Sequence, residues 1–224
     1  MYVFLFDIDG TLISSGGAGK AAMESALQME FGLAKIQHNV PFSGRTDLAI
    51  GMELLRVHGF AGTDHNWLRL RSTYLNHLPA SLARHQGRIL PGIASLLENL
   101  AGRQNAVSGL LTGNIREGAH LKLGHYKLFH YFSVGGYGDR HMDRNDVAHE
   151  ALQAVQHRLG NRVTPDRIWI VGDTPLDIRC ARAIRAKVAA VATGWHPLDE
   201  LAAEKPDLLF PDLSNADALL RLIA

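Results

Sequence analysis

Val3-Phe4-Leu5-Phe6 is an unbroken apolar run that stops at Asp7-Ile8-Asp9-Gly10-Thr11. No polar residue alternates within it. The run therefore predicts a strand buried on both faces, the pattern of a parallel sheet covered by helices. Side chains alternate along a strand, so Asp7 and Asp9 are expected to lean to the same side. Gly10 lets the chain turn off the strand end. In open parallel sheets, ligands bind at that carboxyl end. Asp-Gly is also a common turn signal, and an acid can cap whatever follows. A turn accounts for Asp9 but not for Asp7, which directly follows the buried run. Two acids so placed suit covalent chemistry, in which one carboxylate attacks and the other shuttles a proton beside a cation.

The rest of the chain divides into two patterns. Ser14-Ser15-Gly16-Gly17-Ala18-Gly19 reads as a flexible hinge. Helical spacing follows over 20–31, 46–58 and 64–78, with Pro79 expected to break the third helix and a short piece to continue to Arg84. No strand is expected between Ser14 and Gln86. From Arg88 helices and strands alternate. Helices are expected from Ile93 to Leu100, after Asn114 to about Leu123, from Asn145 to Leu159 and from Thr174 to Ala186. Strands are expected over 106–111, 131–134, 168–171, 188–191 and 208–210. This alternation predicts an α/β doubly wound, Rossmann-like core with a parallel sheet and a small α-helical insertion.

Composition removes several alternatives. The chain has 224 residues, 46% of them apolar, enough for a core plus a smaller insertion. A formal net charge of +1, with scattered Lys and Arg, gives no polybasic surface for nucleic acid. The single cysteine, Cys180, excludes an internal disulfide framework and reads as a small core residue. Asp7 and Asp9 interrupt the first apolar run, so no signal peptide is read, and no stretch is long enough to span a bilayer. A soluble, reducing, cytoplasmic setting is expected. His120, His125, His130, His141 and His149 lack zinc-ligand spacing.

The first motif resembles the DxDGT signature of the haloacid dehalogenase-like hydrolases, matched at Asp7, Asp9, Gly10 and Thr11. Later segments resemble that superfamily's remaining motifs in the right order. Leu110-Leu111-Thr112-Gly113-Asn114 resembles the second, which places a hydroxyl at the end of the next core strand. A residue there can hold a phosphoryl oxygen and borrow the free amides of the following helix; Thr112 can equally be a plain helix cap. Gly113 and Asn114 belong to the same candidate pocket. The third motif supplies a cation. Arg144, in Asp143-Arg144-Asn145-Asp146, occupies the expected position, and an arginine fork can serve. Lys122 is the competitor; at a rise of about 1.5 Å per residue it is expected roughly 12 Å beyond the strand end, a poor reach. Val171-Gly172-Asp173-Thr174-Pro175-Leu176-Asp177 resembles the fourth motif, GDxxxD. Asp177 is also a natural first-turn cap.

What the resemblance implies is specific. The core is expected at 1–14 and 87–224, and a helical cap at 15–86. Asp7, Asp9, Asp173 and Asp177 should gather around one point. Two carboxylates about 4 Å apart repel by roughly 4 kcal/mol at an effective dielectric near 20, so a cation is expected. All-oxygen ligands favour Mg²⁺, held by the Asp7 side chain, the Asp9 backbone carbonyl and Asp173, with Asp177 as ligand or support. Asp7 is the expected nucleophile and Asp9 the acid and base, with Thr112 and Arg144 stabilising the phosphoryl group. Dehalogenases carry no acid at the second position, so Asp9 favours phosphate chemistry. The implied activity is hydrolysis of a small phosphorylated metabolite, as in phosphoglycolate phosphatase, by a monomer or homodimer. A β-phosphoglucomutase-like transfer and a non-catalytic phosphate-binding protein are the alternatives. Arg45, in Gly44-Arg45-Thr46-Asp47, is either a contact for an anionic substrate or part of a helix start.

Overall fold

The computed structural model describes residues 1–36 and 40–223. The chain opens with strand β1 (Tyr2–Phe6) and a short strand β2 (Ile13–Ser14). Three helices follow, α1 (Ala18–Phe31), α2 (Asp47–Val57) and α3 (Asp64–Arg84), and then β3 (Arg88–Ile89). Next come α4 (Ile93–Ala101), β4 (Ala106–Leu111), α5 (Arg116–His125), β5 (Gly135–Gly136) and α6 (Arg144–Leu159). The last part holds β6 (Ile168–Gly172), α7 (Pro175–Ala183), β7 (Lys187–Val191), α8 (Leu198–Ala203), β8 (Leu208–Phe210) and α9 (Asp217–Leu220).

Six strands form one sheet in the order β5-β4-β1-β6-β7-β8, every pair parallel. The apolar strands of the sequence thus became the layer buried from both sides. Phe4 and Phe6 point to the face covered by α4 and the C-terminal segment, where Leu96, Leu97 and Leu219 are buried. Val3 and Leu5 point to the other, covered by α6 and α7 through Val147, Ala151 and Ile178. Cys180 is buried in that second layer. From β1 the sheet grows one way through β4 and β5, then the other way through β6. The β1–β6 edge is therefore the point where strand order reverses, and crevices at such points hold ligands. Among the described residues, no helix is long and apolar enough to cross a membrane.

Helices α1, α2 and α3 bury their own apolar cluster, including Met23, Leu27, Leu55, Leu70, Tyr74 and Leu78. Ser14 pairs antiparallel with Arg88 and Ile13 with Ile89, so a two-stranded ribbon brackets the insertion. This ribbon carries no sequence signal, because two residues are too short for a period; among the described residues no strand lies between its two arms, as the sequence predicts. The third helix is expected to break at Pro79, whereas α3 runs through it. Pro79 is exposed and costs about 3 kcal/mol in a helix interior. Burial of Leu78 and Leu82, each worth roughly 1.5–3 kcal/mol, outweighs that cost. Ser81 Oγ also donates to the Ala18 carbonyl oxygen at 2.9 Å. The strand expected over 131–134 is a 3₁₀ turn at Phe129–Tyr131, and the pairing shifts to Gly135–Gly136. A Cβ on Gly136 would lie 2.4 Å from the Val147 carbonyl oxygen of α6, so only glycine fits that edge.

Candidate active site

Asp7 leaves the end of β1 with its amide donating to the Val171 carbonyl oxygen at 2.9 Å. This bond ties it to β6, whose end delivers Asp173. Carboxylate oxygens of Asp7, Asp173 and Asp177 come within 4.8 Å of one another, all three side chains buried. Thr11 Oγ1 donates to Asp173 Oδ1 at 2.9 Å. Gly10 (φ +88°) and Gly194 leave no room for side chains: a Cβ would fall 2.3 Å and 1.7 Å from Asp173 Oδ2. The acid is thus clamped between two glycine backbones from opposite ends of the chain. Asp177 is the third residue of α7 and forms a reciprocal capping box with Thr174. Its Oδ2 accepts from the Thr174 amide at 3.0 Å and hydroxyl at 2.7 Å, and its Oδ1 accepts from Arg144.

Arg144 enters at the first residue of α6 and is buried. Its Nη2 lies 3.1 Å from Asp7 Oδ1 and also contacts Asp177. Its Nη1 donates to the Gly44 carbonyl oxygen of the insertion at 3.2 Å. Burial opposes the guanidinium charge, but Asp177 and Asp7 beside it overcome that and hold the group firmly protonated. Burial pushes the Asp7 carboxyl up to about 6 against the pull of Arg144. Burial, then the charges of Asp177 and Asp7, push Asp173 well above the usual carboxylate range. Three buried acids against one guanidinium leave the cluster short of positive charge. An all-oxygen donor set with that deficit fits a divalent metal ion.

Asp9 does not share this cluster through its side chain. The strand ends at Phe6, and the Asp9 carboxylate turns to a second cation. Lys122 Nζ donates to Asp9 Oδ2 at 2.5 Å and to Asn114 Oδ1 at 2.6 Å. Asn114 Nδ2 and Ser15 Oγ complete the set at 3.0 Å and 3.2 Å. Burial works against the charge of Asp9, but Lys122 and these hydrogen bonds hold it below the usual range. The expected poor reach of Lys122 is overturned. Helical side chains point back toward the N-terminus, so its ammonium returns along α5 to the strand ends.

Thr112 is fully buried, and its Oγ1 accepts from the Asn114 amide at 3.2 Å and Asn114 Nδ2 at 2.9 Å. Gly113 and Asn114 line the cavity in front of it. The sequence predicts free amides at the head of α5 for an anion, but two of them are already taken. Asp47 Oδ2 takes the Ile115 N–H at 2.9 Å and Asp139 Oδ2 takes that of Arg116 at 2.8 Å. Thr46 caps α2 by accepting from the Ala49 amide at 3.1 Å. Arg45 borders the cavity, but Glu53 holds it at 2.6 Å and its Nη1 donates to the Pro41 carbonyl oxygen. Its charge is met within the insertion. Asp47, Ser15, Thr193 and Gly194 were not singled out from the sequence as site residues. No local motif marks them, because each acts across more than one element.

A cavity of about 630 Å³ lies between the acids and the insertion. It is lined by Asp7, Asp9 and Lys122 and, from the insertion, by Phe42, Ile50 and Tyr74 among others.

The family model of the haloacid dehalogenase-like hydrolases matches residues 4–191. The chain is 26% identical to the pyrophosphatase PpaX of Oceanobacillus iheyensis, over 94% of its length and 92% of that protein's. It is 27% identical to the phosphoglycolate phosphatase of Synechococcus elongatus, over 96% and 95%. Among solved structures, CbbY from Rhodobacter sphaeroides in complex with phosphate superposes with a TM-score of 0.77 at 18% identity, over 96% of both chains. At that identity the likeness concerns the fold. The chain belongs to the haloacid dehalogenase-like hydrolase family, and these two relatives by sequence are named as a pyrophosphatase and a phosphatase.

Proposed function

We propose that this protein is a Mg²⁺-dependent phosphatase of a small phosphorylated metabolite, working through an aspartyl-phosphate on Asp7. In this reading residues 1–14 and 87–224 are the catalytic core and 15–86 a cap that closes the cavity, in a cytoplasmic enzyme acting as a monomer or homodimer. The supporting observation is that each of the two leading acids has its own buried cation: Arg144 on Asp7 and Lys122 on Asp9. Asp7, Asp173 and the Asp9 backbone carbonyl would hold Mg²⁺, while Asp177 holds Arg144 in place. Bound there, Mg²⁺ supplies positive charge against the phosphoryl oxygens.

The residues then divide the work. Asp7 is a nucleophile that Arg144 keeps ionised near neutral pH against the burial that raises it. Its Oδ attacks phosphorus, and the bond from phosphorus to the ester oxygen breaks. The leaving oxygen takes a proton from Asp9. In the free site Lys122 keeps Asp9 ionised; an arriving phosphate competes for that ammonium and adds negative charge, and both raise the Asp9 carboxyl so that it carries the proton. In the second half Asp9 takes a proton from water, whose oxygen attacks phosphorus. The Asp7–phosphorus bond breaks, releasing phosphate and restoring both acids. Arg144 and Lys122 stabilise the spreading charge. Phosphate release from a panel of phosphorylated metabolites, with and without Mg²⁺, tests the reading. Full activity in Asp7→Asn would end it.

A further inference from the structure

At about 630 Å³ the cavity lies within the range of ~300–1,000 Å³ that encloses drug-sized ligands. Phosphoglycolate is among the smallest phosphate esters and would leave most of this space to water. The insertion contributes Met23, Val40, Phe42, Ile50 and Tyr74 to the lining, together with Lys20 and Arg45. Arg45 is paired with Glu53 at 2.6 Å and Lys20 with Glu24 at 3.8 Å, so both of these cations already face a carboxylate of the insertion.

Trp195 borders the same cavity and is 87% exposed, more than any other exposed large hydrophobic side chain among the described residues. A scattered surface leucine needs no explanation. An indole at the mouth of an acid-lined cavity does, because the backbone just before it is held against the acids. Gly194 packs its backbone directly on Asp173, and Thr193 Oγ1 donates to the Gly10 carbonyl oxygen at 2.6 Å. The segment 193–195 thus grips the first acid loop and presents a flat apolar ring next to it. Rings of this kind gain by stacking on another planar group.

We propose that the substrate is a phosphate monoester whose organic half is planar and largely apolar, stacked on Trp195 and bordered by Phe42. The inference rests on the phosphatase reading and narrows it. The acids, Arg144 and Lys122 take the phosphoryl end, and the apolar side chains of the insertion take the carrier.

The test compares kcat/KM with Mg²⁺ for phosphoglycolate, glucose 6-phosphate and 2-naphthylmethyl phosphate. All three have alkyl ester oxygens, so an activated phenolate leaving group does not enter. The naphthylmethyl ester is expected to be preferred over phosphoglycolate at least tenfold. Trp195→Ala should cut that preference about tenfold, ~1.4 kcal/mol, and Trp195→Phe much less. Preference for phosphoglycolate or the sugar ester, unchanged in Trp195→Ala, overturns the proposal and leaves the phosphatase reading standing. If no ester is hydrolysed, calorimetry decides. Naphthylmethyl phosphate binding that weakens about tenfold in Trp195→Ala keeps the ligand class and discards hydrolysis; no binding discards both.

Discussion

Lys122 Nζ sits 2.5 Å from Asp9 Oδ2, and the two residues come from helix α5 and the loop after β1, 113 positions apart. The lysine is buried, whereas the Asp9 side chain keeps 38% of its exposure. The cation is therefore the fixed partner and the acid the one that meets solvent and substrate. Lys122→Met should lower kcat by about 10²–10³, within the range expected for losing an acid–base group's control. The fold should survive, because water can still solvate Asp9. Steady-state kinetics with a thermal melt checks both. Unchanged kcat would assign Lys122 to packing alone.

Arg144 should behave differently. Its loss leaves Asp7 and Asp177 buried without a counter-charge, which costs roughly 3–5 kcal/mol. Arg144→Met is expected to lower Tm by about 10 °C in a chain of this size as well as removing activity. Arg144→Lys keeps a charge but cannot serve Asp7, Asp177 and the Gly44 carbonyl together. It should recover part of the stability and less of the activity. Calorimetry and kinetics on the two variants separate these effects.

Stability without metal should fall as pH rises from about 4 to beyond 6. Burial raises Asp7 from 3.8 to about 6, and Asp173 is raised as well, so the folded state keeps protons that the unfolded chain has lost. Where the folded state binds more protons, unfolding free energy decreases with pH. This contribution is fully present below 3.8 and lost through the folded values. Chelated protein should melt higher at pH 5 than at pH 8, and Mg²⁺ should narrow the difference. Asp7→Asn should flatten the slope. A melting temperature that climbs through this window contradicts the assignment.

Gly194→Ala places a methyl group 1.7 Å from Asp173 Oδ2, so the acid must move. The expected result is an Mg²⁺ activation constant raised about tenfold or more, in line with the sensitivity of metal sites to groups that orient their ligands. Titrating activity against Mg²⁺ measures it. An unchanged constant would mean that Asp173 is not a ligand.

Pro79→Ala restores one helical N–H in α3 at an exposed position. It should stabilise the protein by about 1–3 kcal/mol and raise Tm, with activity unchanged, because Pro79 does not line the cavity. A differential melt is sufficient.

The first four apolar residues and the two acids after them determined a great deal alone. An all-apolar strand of that length is stable only between two helical layers, and an acid ending it must face the ligand crevice. The glycine and threonine of the first motif likewise announced a tight turn at the acids. The resemblance also placed Arg144 near the start of a helix expected from Asn145; the helix begins one residue earlier, at Arg144 itself, under the Asp143 cap. The sequence misjudged Lys122 because reach depends on side-chain direction and on how α5 is set against α3, not on rise per residue. It left Arg45 free because Glu53, eight positions on, becomes its partner only when the loop before α2 folds back. It read Pro79 as a stop because helix propensity is local, while the burial that overrides it comes from α1. Gly194, Trp195 and Asp47 carried no signal in the chain; they matter only through what lies opposite them. Local chemistry dictated which groups stand at each strand end, and long-range packing alone decided which cation each acid meets, because Coulombic pairing acts through space and is blind to chain order.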